Sequence, residues 1–316
     1  MNPLSVIFGA GVAIRNALYD RGSFQVKKLA RPVVSVGNIS VGGSGKTPFV
    51  IALGHLLTER GIPFDVLSRG YGRTSTEITV VDPNGSPAHF GDEPLLIAQK
   101  LQVPVIVGAD RYETGLLAEK KFSSRLHLLD DGFQHRRLHR DFDIVLLPAE
   151  DEAGVLLPMG RLREPLSALK RADAVVLPDS PDRQVQAKNL WQARRVIELP
   201  AASGKMIAFS GIGRPKQFLD AVKSSNSELA GTITFRDHHR YDQRDIDRLL
   251  ALRKQTSSDS FITTEKDVIN LGPLSHQLSP LLKAKLRIEL ESPQQVMLEI
   301  IRTVEQRSGQ QILSPA

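Results

Sequence analysis

Residues 37–50, GNISVGGSGKTPFV, follow directly on a short apolar run at 33–36, near the start of the chain. A run of small residues ending in Gly45-Lys46-Thr47 has the composition of a phosphate loop. In such a loop unshielded backbone N–H groups, here those from Ser40 through Val41, Gly42, Gly43, Ser44 and Gly45, surround phosphate oxygens together with a lysine, Lys46. A hydroxyl, Thr47, ligates magnesium. The strict pattern opens with a glycine separated by four residues from the Gly-Lys pair, and that position is Ser40. Gly42, Gly43 and Gly45 still supply the backbone freedom that close approach to a phosphate requires. This reading demands a strand before the loop and a helix after it.

Working outward, similar apolar runs recur at 64–67, 103–107, 126–129, 144–147 and 174–177. Continuous rather than alternating hydrophobicity indicates strands covered on both faces. Helical stretches such as 49–60 and 94–102 lie between several of them, so βαβ units and a mainly parallel sheet flanked by helices follow, an α/β fold of the P-loop NTPase type. After residue 177 the segment PDSPDRQVQAKN is polar and carries two prolines, which marks a connector. Further strands at 195–199, 206–209, 232–235, 261–263 and 286–290, with helices at 215–223 and 243–253, make a second, smaller α/β unit. The expected organisation is an N-terminal helical segment at 1–30, a phosphate-loop unit at 31–195 and a C-terminal unit at 196–316. A chain of 316 residues suits two units with a cleft between them.

Hydrophobic residues make up 41% and charged residues 24%, ordinary values for a soluble globular protein, and the net charge of +6 leans toward anionic partners. With no cysteine, a disulfide framework and a thiolate metal site are both excluded, which suits a reducing, cytoplasmic compartment. The uncharged run at the N-terminus stops at Arg15, short of the roughly 18 to 20 apolar residues of a spanning helix. Its basic residues, Arg15, Arg21, Lys27, Lys28 and Arg31, follow the apolar ones, the reverse of a secretory signal. That order fits an interfacial helix in which Leu4, Phe8, Ile14 and Leu18 form an apolar stripe among anionic headgroups; a helix packed on its own domain is the alternative.

The segment LHLLDDGFQHRRLHR, residues 126–140, is an apolar strand ending in two acids, Asp130 and Asp131. Many P-loop proteins place a carboxylate beside magnesium in this way, and adjacent side chains near a strand end point in opposite directions, so one can face metal and the other the acceptor. Asp-Asp-Gly is also common turn chemistry. In FGDEPLL, residues 90–96, Asp92 is either a helix cap or the carboxylate that takes a proton from an acceptor hydroxyl, with Asp131 as its partner. Arg69, Arg73, Arg111, Arg161 and Arg163 supply cations; those beyond strand ends can bind phosphate oxygens. Glu164 can reach the metal or pair with an arginine. The run QHRRLHR faces either solvent or an anionic lipid or phosphate. In FRDHHRY, residues 235–241, adjacent histidines rarely converge on one ion, so a histidine at the interdomain cleft is the better reading.

With these pieces placed, the sequence resembles the tetraacyldisaccharide 4'-kinase family, the lipid A 4'-kinases of Gram-negative bacteria. The resemblance is carried, in order, by SVGNISVGGSGKTP (35–48), SRGYGR (68–73), GDEP (91–94), LDDGFQHRRLHRDFDIVLLP (129–148), LLPMGRLREPLSALKRAD (156–173), FRDHH (235–239) and TTEKD (263–267). It implies transfer of the ATP γ-phosphate to the 4'-hydroxyl of a tetraacylated, singly phosphorylated glucosamine disaccharide. The enzyme would be peripheral, on the cytoplasmic face of the inner membrane, with an anionic membrane surface as partner, no nucleic acid and no obligate protein partner. By motif, Asp92 would be the base, paired with Asp131, and one of His238 and His239 would act at the site. Residues 40–47 would hold the nucleotide; Thr47, Asp130 and Glu164 would lie on the Mg2+ side. Arg69, Arg111, Gln134, His135 and Arg163 would surround phosphate or substrate. The rival readings are a nucleotide-driven switch or chaperone and a membrane-binding scaffold with a vestigial nucleotide site. A guanine-reading Asn-Lys-x-Asp segment is absent from the chain.

Overall fold

The computed structural model describes residues 3–152, 154–179, 185–201, 204–225 and 227–313. Residues 180–184 of the anticipated connector lie outside them. The helices are α1 (Pro3–Asp20), α2 (Lys46–Glu59), α3 (Pro87–Phe90), α4 (Asp92–Leu101), α5 (Arg111–Lys121), α6 (Pro215–Lys223), α7 (Gln243–Thr256), α8 (Glu265–Leu271) and α9 (Pro293–Ser308). The strands are β1 (Val33–Asn38), β2 (Phe64–Ser68), β3 (Thr79–Val80), β4 (Val105–Val107), β5 (Leu126–Asp130) and β6 (Phe142–Leu146) in the first half of the chain. They continue as β7 (Ala174–Pro178), β8 (Asn189–Glu198), β9 (Lys205–Ser210), β10 (Glu228–Thr234), β11 (Ser260–Thr264) and β12 (Leu281–Leu290).

All these strands join one sheet in the order β10-β9-β11-β12-β8-β7-β6-β1-β5-β2-β4-β3. From β8 to β4 every pairing is parallel, and so is every pairing from β12 to β10. The two parallel blocks meet at one antiparallel seam between β8 and β12. The expected division at 195/196 therefore falls inside β8, a strand hydrogen-bonded to both blocks. Beyond it, α9 lays Val296, Met297, Ile300, Ile301 and Val304 into the core built around Val34, Val36 and Phe49, so the C-terminal helix packs on the phosphate-loop half.

The strands read as continuous apolar runs are buried along their whole length: β1, β2, β5, β6 and β7 expose no residue. Helices α2, α4 and α9 cover one face of the first block, while α5 packs with Leu29, Val33, Leu67 and Leu129 on the other. Burial at about 25 cal/mol per Å2 makes these faces the main source of cohesion. Gly37 is the tightest point under the phosphate loop. A Cβ there would stand 2.5 Å from the Phe133 Cβ and 2.8 Å from its backbone nitrogen.

Helix α1 sits differently. Ser5 donates to the Leu156 carbonyl at 2.9 Å, and Gly9 lies against the Leu156 side chain, which sets the packed face. Leu4, Val6, Ile7 (68% exposed) and Ile14 face outward, while Phe8 and Leu18 of the anticipated stripe are half-buried. Val155, Met159 and Leu166 add exposed apolar surface. Among the described residues no helix is long and apolar enough to cross a membrane.

One ionic cluster lies inside the first block. His127 on β5 is fully buried beside its register partner Asp65 on β2, with Nδ1 2.7 Å from the carboxylate and Nε2 3.4 Å from Glu119. Burial pulls the imidazole pKa down, but the two carboxylates outweigh it and raise it to about 9. A pKa raised above the unfolded value stabilises the fold below about pH 6.5, and that contribution is lost as pH climbs through about 9. Thermal midpoints measured across this window should fall for the native chain, and His127→Gln should flatten the dependence. An unchanged slope in the variant would refute the assignment.

Candidate active site

The carboxyl ends of strands from both blocks open into a cavity of about 1710 Å3. From the first block come residues 41–47 after β1, Ser68 and Arg69 at the end of β2, and Asp130 and Asp131 at the end of β5. From the second come Gly213 and Arg214 after β9, Asp237 and His238 after β10, and Lys266 after β11. Open α/β sheets bind ligands at this edge.

The loop between β1 and α2 turns on three left-handed glycines, Gly42, Gly43 and Gly45, with φ of 71°, 53° and 87°. Gly43 is also closed in: a Cβ would meet the Arg214 side chain at 2.6 Å. Ser40, where the strict motif has glycine, is buried and donates its hydroxyl to the Asp151 carboxylate, which in turn receives Arg214 at 3.2 Å. The off-pattern residue thus ties the loop to the second block, while residues 41–47 face the cavity. Asn38 donates to Ser44 at 2.8 Å and steadies the loop from the strand side.

Lys46 extends to Asp131 at 3.4 Å, and Arg163 reaches the same carboxylate at 3.0 Å. Asp131 adopts φ 51° and so turns its side chain away from the strand direction. Burial raises its pKa, but Lys46 and Arg163 outweigh that and hold it near 2. Asp130 has the opposite surroundings. It is buried, one oxygen accepts from Ser68 at 3.0 Å, and the other has no hydrogen-bond partner. Burial, then the charges of Glu93 and Asp131, push its pKa up to about 7. A buried carboxylate with an orphaned oxygen and excess proton affinity is suited to a divalent cation.

Glu164, anticipated on the metal side, is occupied elsewhere. Asn16 of α1 donates to it at 2.8 Å, Gln134 at 3.1 Å and Arg171 at 3.0 Å, and it does not line the cavity. Of the three residues anticipated on the metal side, Thr47 and Asp130 line the cavity. Among the described residues no three His, Cys, Asp or Glu side chains converge as a metal site. A magnesium ion would complete its shell with phosphate oxygens and water, its usual habit in nucleotide sites.

Asp92 opens α4, immediately after Gly91, whose φ of 92° lets the chain pass against Gly70. Its carboxylate is 4% exposed and fully engaged. His238 Nδ1 lies 2.9 Å and 3.1 Å from its two oxygens, Asn270 donates at 3.0 Å and the Glu93 N–H at 2.9 Å. Burial works against its charge, but the His238 hydrogen bond and the nearby Lys266 prevail and bring its pKa down to about 2. His238 stands between Asp92 and the cavity, with φ 56° and its ring 4.9 Å from that of Tyr71. Strained conformations of this kind persist where surrounding contacts over-determine them.

The next residue turns away. His239 bonds Asp245 at 2.7 Å and stacks on Phe235, so it belongs to the interior of the second block and does not line the cavity. Asp92 and Asp131, anticipated as partners, each take other companions: His238 for the first, Lys46 and Arg163 for the second. Arg69, Gln134 and Arg163 reach the cavity. Arg111 and His135 stay behind the wall. Arg111 is buried against the Ala109 carbonyl, and His135 is pushed down to about 4, first by burial and then by Arg111. Lys266, Tyr71 and Arg214 line the cavity and Asn270 holds Asp92, none of them marked by a local sequence signal for this site. The TTEKD motif contains Lys266, but only the third dimension shows where its ammonium goes.

The fold and cavity define a phosphate-loop nucleotide-binding protein of the α/β class, with a second α/β block closing over the loop. Within that class the chain belongs to the tetraacyldisaccharide-1-phosphate 4'-kinase family, whose model matches residues 1–305. A tetraacyldisaccharide 4'-kinase of Koribacter versatilis is 51% identical, with 98% of this chain and all of the relative covered. That of Geobacter metallireducens is 38% identical over 92% of this chain and 93% of the relative. A crystal structure of LpxK from Aquifex aeolicus, described as an "apo" form in complex with ATP, superposes with a TM-score of 0.78 at 35% identity, covering 96% of this chain and 98% of that one.

Proposed function

We propose that the protein transfers the γ-phosphate of ATP to the 4'-hydroxyl of a tetraacyldisaccharide 1-phosphate, a step of lipid A biosynthesis. The observation that carries this reading is the meeting, on one cavity, of a phosphate loop and the Asp92–His238 pair supplied by opposite blocks of the sheet. A nucleotide switch needs the first of these but has no use for a proton acceptor facing it.

Backbone N–H groups of residues 41–47 and the Lys46 ammonium would hold the nucleotide phosphates, and Arg69 and Arg163 would neutralise charge on the transferring group. Magnesium, held by Thr47 and Asp130, would supply charge neutralisation across the β- and γ-phosphates. The 4'-oxygen bonds to the γ-phosphorus as the bond to the bridging oxygen breaks and ADP departs. The hydroxyl proton passes to the Asp92–His238 pair, which titrates as a unit. A carboxylate near pKa 2 is a weak base toward an alcohol, so the proton moves late, when the new P–O bond has acidified it.

The exposed face of α1, packed through Leu156 next to the exposed Val155, supports a peripheral seat on an anionic membrane, with the exposed Arg21 and Lys28 that follow the helix near headgroups. For a lipid acceptor of this pathway the cytoplasmic face of the inner membrane is the corresponding location. One preparation tests both statements. Labelled γ-phosphate should pass from ATP to the disaccharide lipid in detergent micelles, and the same protein should co-sediment with anionic vesicles. Absence of transfer by folded protein overturns the first, and protein left in the supernatant overturns the second.

A further inference from the structure

Lys266 opens toward the cavity from the first turn of α8, yet most of its side chain is buried. Its ammonium lies 3.2 Å from Glu93, 3.5 Å from Asp237, 3.7 Å from Asp92 and 3.4 Å from His238 Nε2. The helix that carries it cannot drift. Asp267, the next residue, accepts from the Gly211 N–H at 2.7 Å and the Tyr241 hydroxyl at 2.8 Å, which ties α8 to the loop after β9 and to the loop that carries His238.

The contact with His238 decides the imidazole's proton. Nδ1 sits between both oxygens of an ionised carboxylate, so it must carry hydrogen. Nε2 then has two neighbours. An ammonium, which can only donate, stands at 3.4 Å, and the Asp237 carboxylate, which can only accept, stands at 3.9 Å, beyond hydrogen-bond reach. A proton on Nε2 would face the ammonium and find no acceptor. The remaining groups facing His238 are Glu93 from α4 and the Tyr71 ring.

We propose that Lys266 is a positioning residue for the proton acceptor: its ammonium caps His238 Nε2 and holds the imidazole as the neutral Nδ1–H tautomer against Asp92. The catalytic value of that arrangement rests on the kinase reading; the tautomer itself does not. Held this way, the one lone pair of the imidazole, on Nε2, meets the Lys266 ammonium at 3.4 Å until the hydroxyl proton displaces that contact, and Lys266 at the same time ties the second block to the acidic start of α4 through Glu93.

Nitrogen chemical shifts of His238 in the unliganded native protein read the tautomer directly, with no substitution needed. Burial and Lys266 work against the imidazole's charge, but Asp92 outweighs them and raises its pKa, so the shifts are read on the alkaline side of its titration; protonated Nδ1 and unprotonated Nε2 are expected there, and a protonated Nε2 overturns the proposal. In Lys266→Met the His238 titration should move to higher pH, because the repelling ammonium is gone while Asp92 and Glu93 remain. Phosphoryl transfer should then fall about tenfold at the acid end of the pH profile and approach the native rate at alkaline pH, with Lys266→Arg restoring the native profile. An unmoved titration overturns the proposal whatever the activity. A titration that moves with no change in the acid limb leaves Lys266's effect on His238 standing and overturns instead the role of the pair in catalysis.

Discussion

Asp92→Asn should lower kcat roughly 100- to 10,000-fold, the range for loss of a positioned general base, with ATP affinity nearly unchanged. Asn has the same shape, so α4 still begins where it does and the Glu93 N–H keeps an acceptor. What disappears is the negative charge. His238 Nδ1 and Asn270 Nδ2 both donate to this carboxylate, and neither can donate to an amide NH2 turned toward it. The imidazole loses the anion that stabilises its protonated form, and the hydroxyl proton loses its destination. Steady-state kinetics with the lipid acceptor, beside calorimetric titration of ATP, separate the two effects. Near-native turnover would reject the Asp92–His238 pair as acceptor, and loss of ATP affinity in step with kcat would mean that Asp92 supports the nucleotide site instead.

Lys46→Met should reduce kcat/KM for ATP on the order of 100- to 1,000-fold, the cost typical of removing one preorganised donor to developing charge. The methionine stem fills the same space, and Asp131 keeps Arg163 at 3.0 Å, so the fold should survive. The thermal midpoint separates a lost ligand contact from a lost structure. A variant with native melting and native kcat/KM would show that the loop glycines and Arg163 hold the nucleotide without the lysine.

Much of the first block was legible because its physical signal is local. A strand buried on both faces must be apolar throughout, so β1, β2, β5, β6 and β7 announce themselves as Val, Ile and Leu runs. The left-handed glycines of the phosphate loop are equally local requirements. Strand β8 is harder to read: as the seam between blocks it mixes buried Trp191 and Ala193 with polar neighbours, and only its last residues have the expected pattern. The short β3 and the charged α5 give weak periodic signals for the same reason.

The site divides along the same line. Lys46, Thr47, Asp130 and Asp131 lie beside an apolar strand or a glycine loop, so their neighbourhood could be inferred from the residues around them. Glu164 is likewise an acid in a similarly suggestive segment, yet Arg171 from its own segment, Gln134 from the loop after β5 and Asn16 from α1 occupy it.

By itself, then, the sequence determined the α/β class, the phosphate loop and the strand-end acids, because backbone geometry and burial act over a few residues. It left open which histidine faces the cavity and where Lys266 points, and it paired Asp92 with Asp131 where the structure pairs it with His238. Tertiary structure decided these, since hydrogen bonds between residues 92, 238, 266 and 270 form only when the antiparallel seam of β8 and β12 brings the second block over the first.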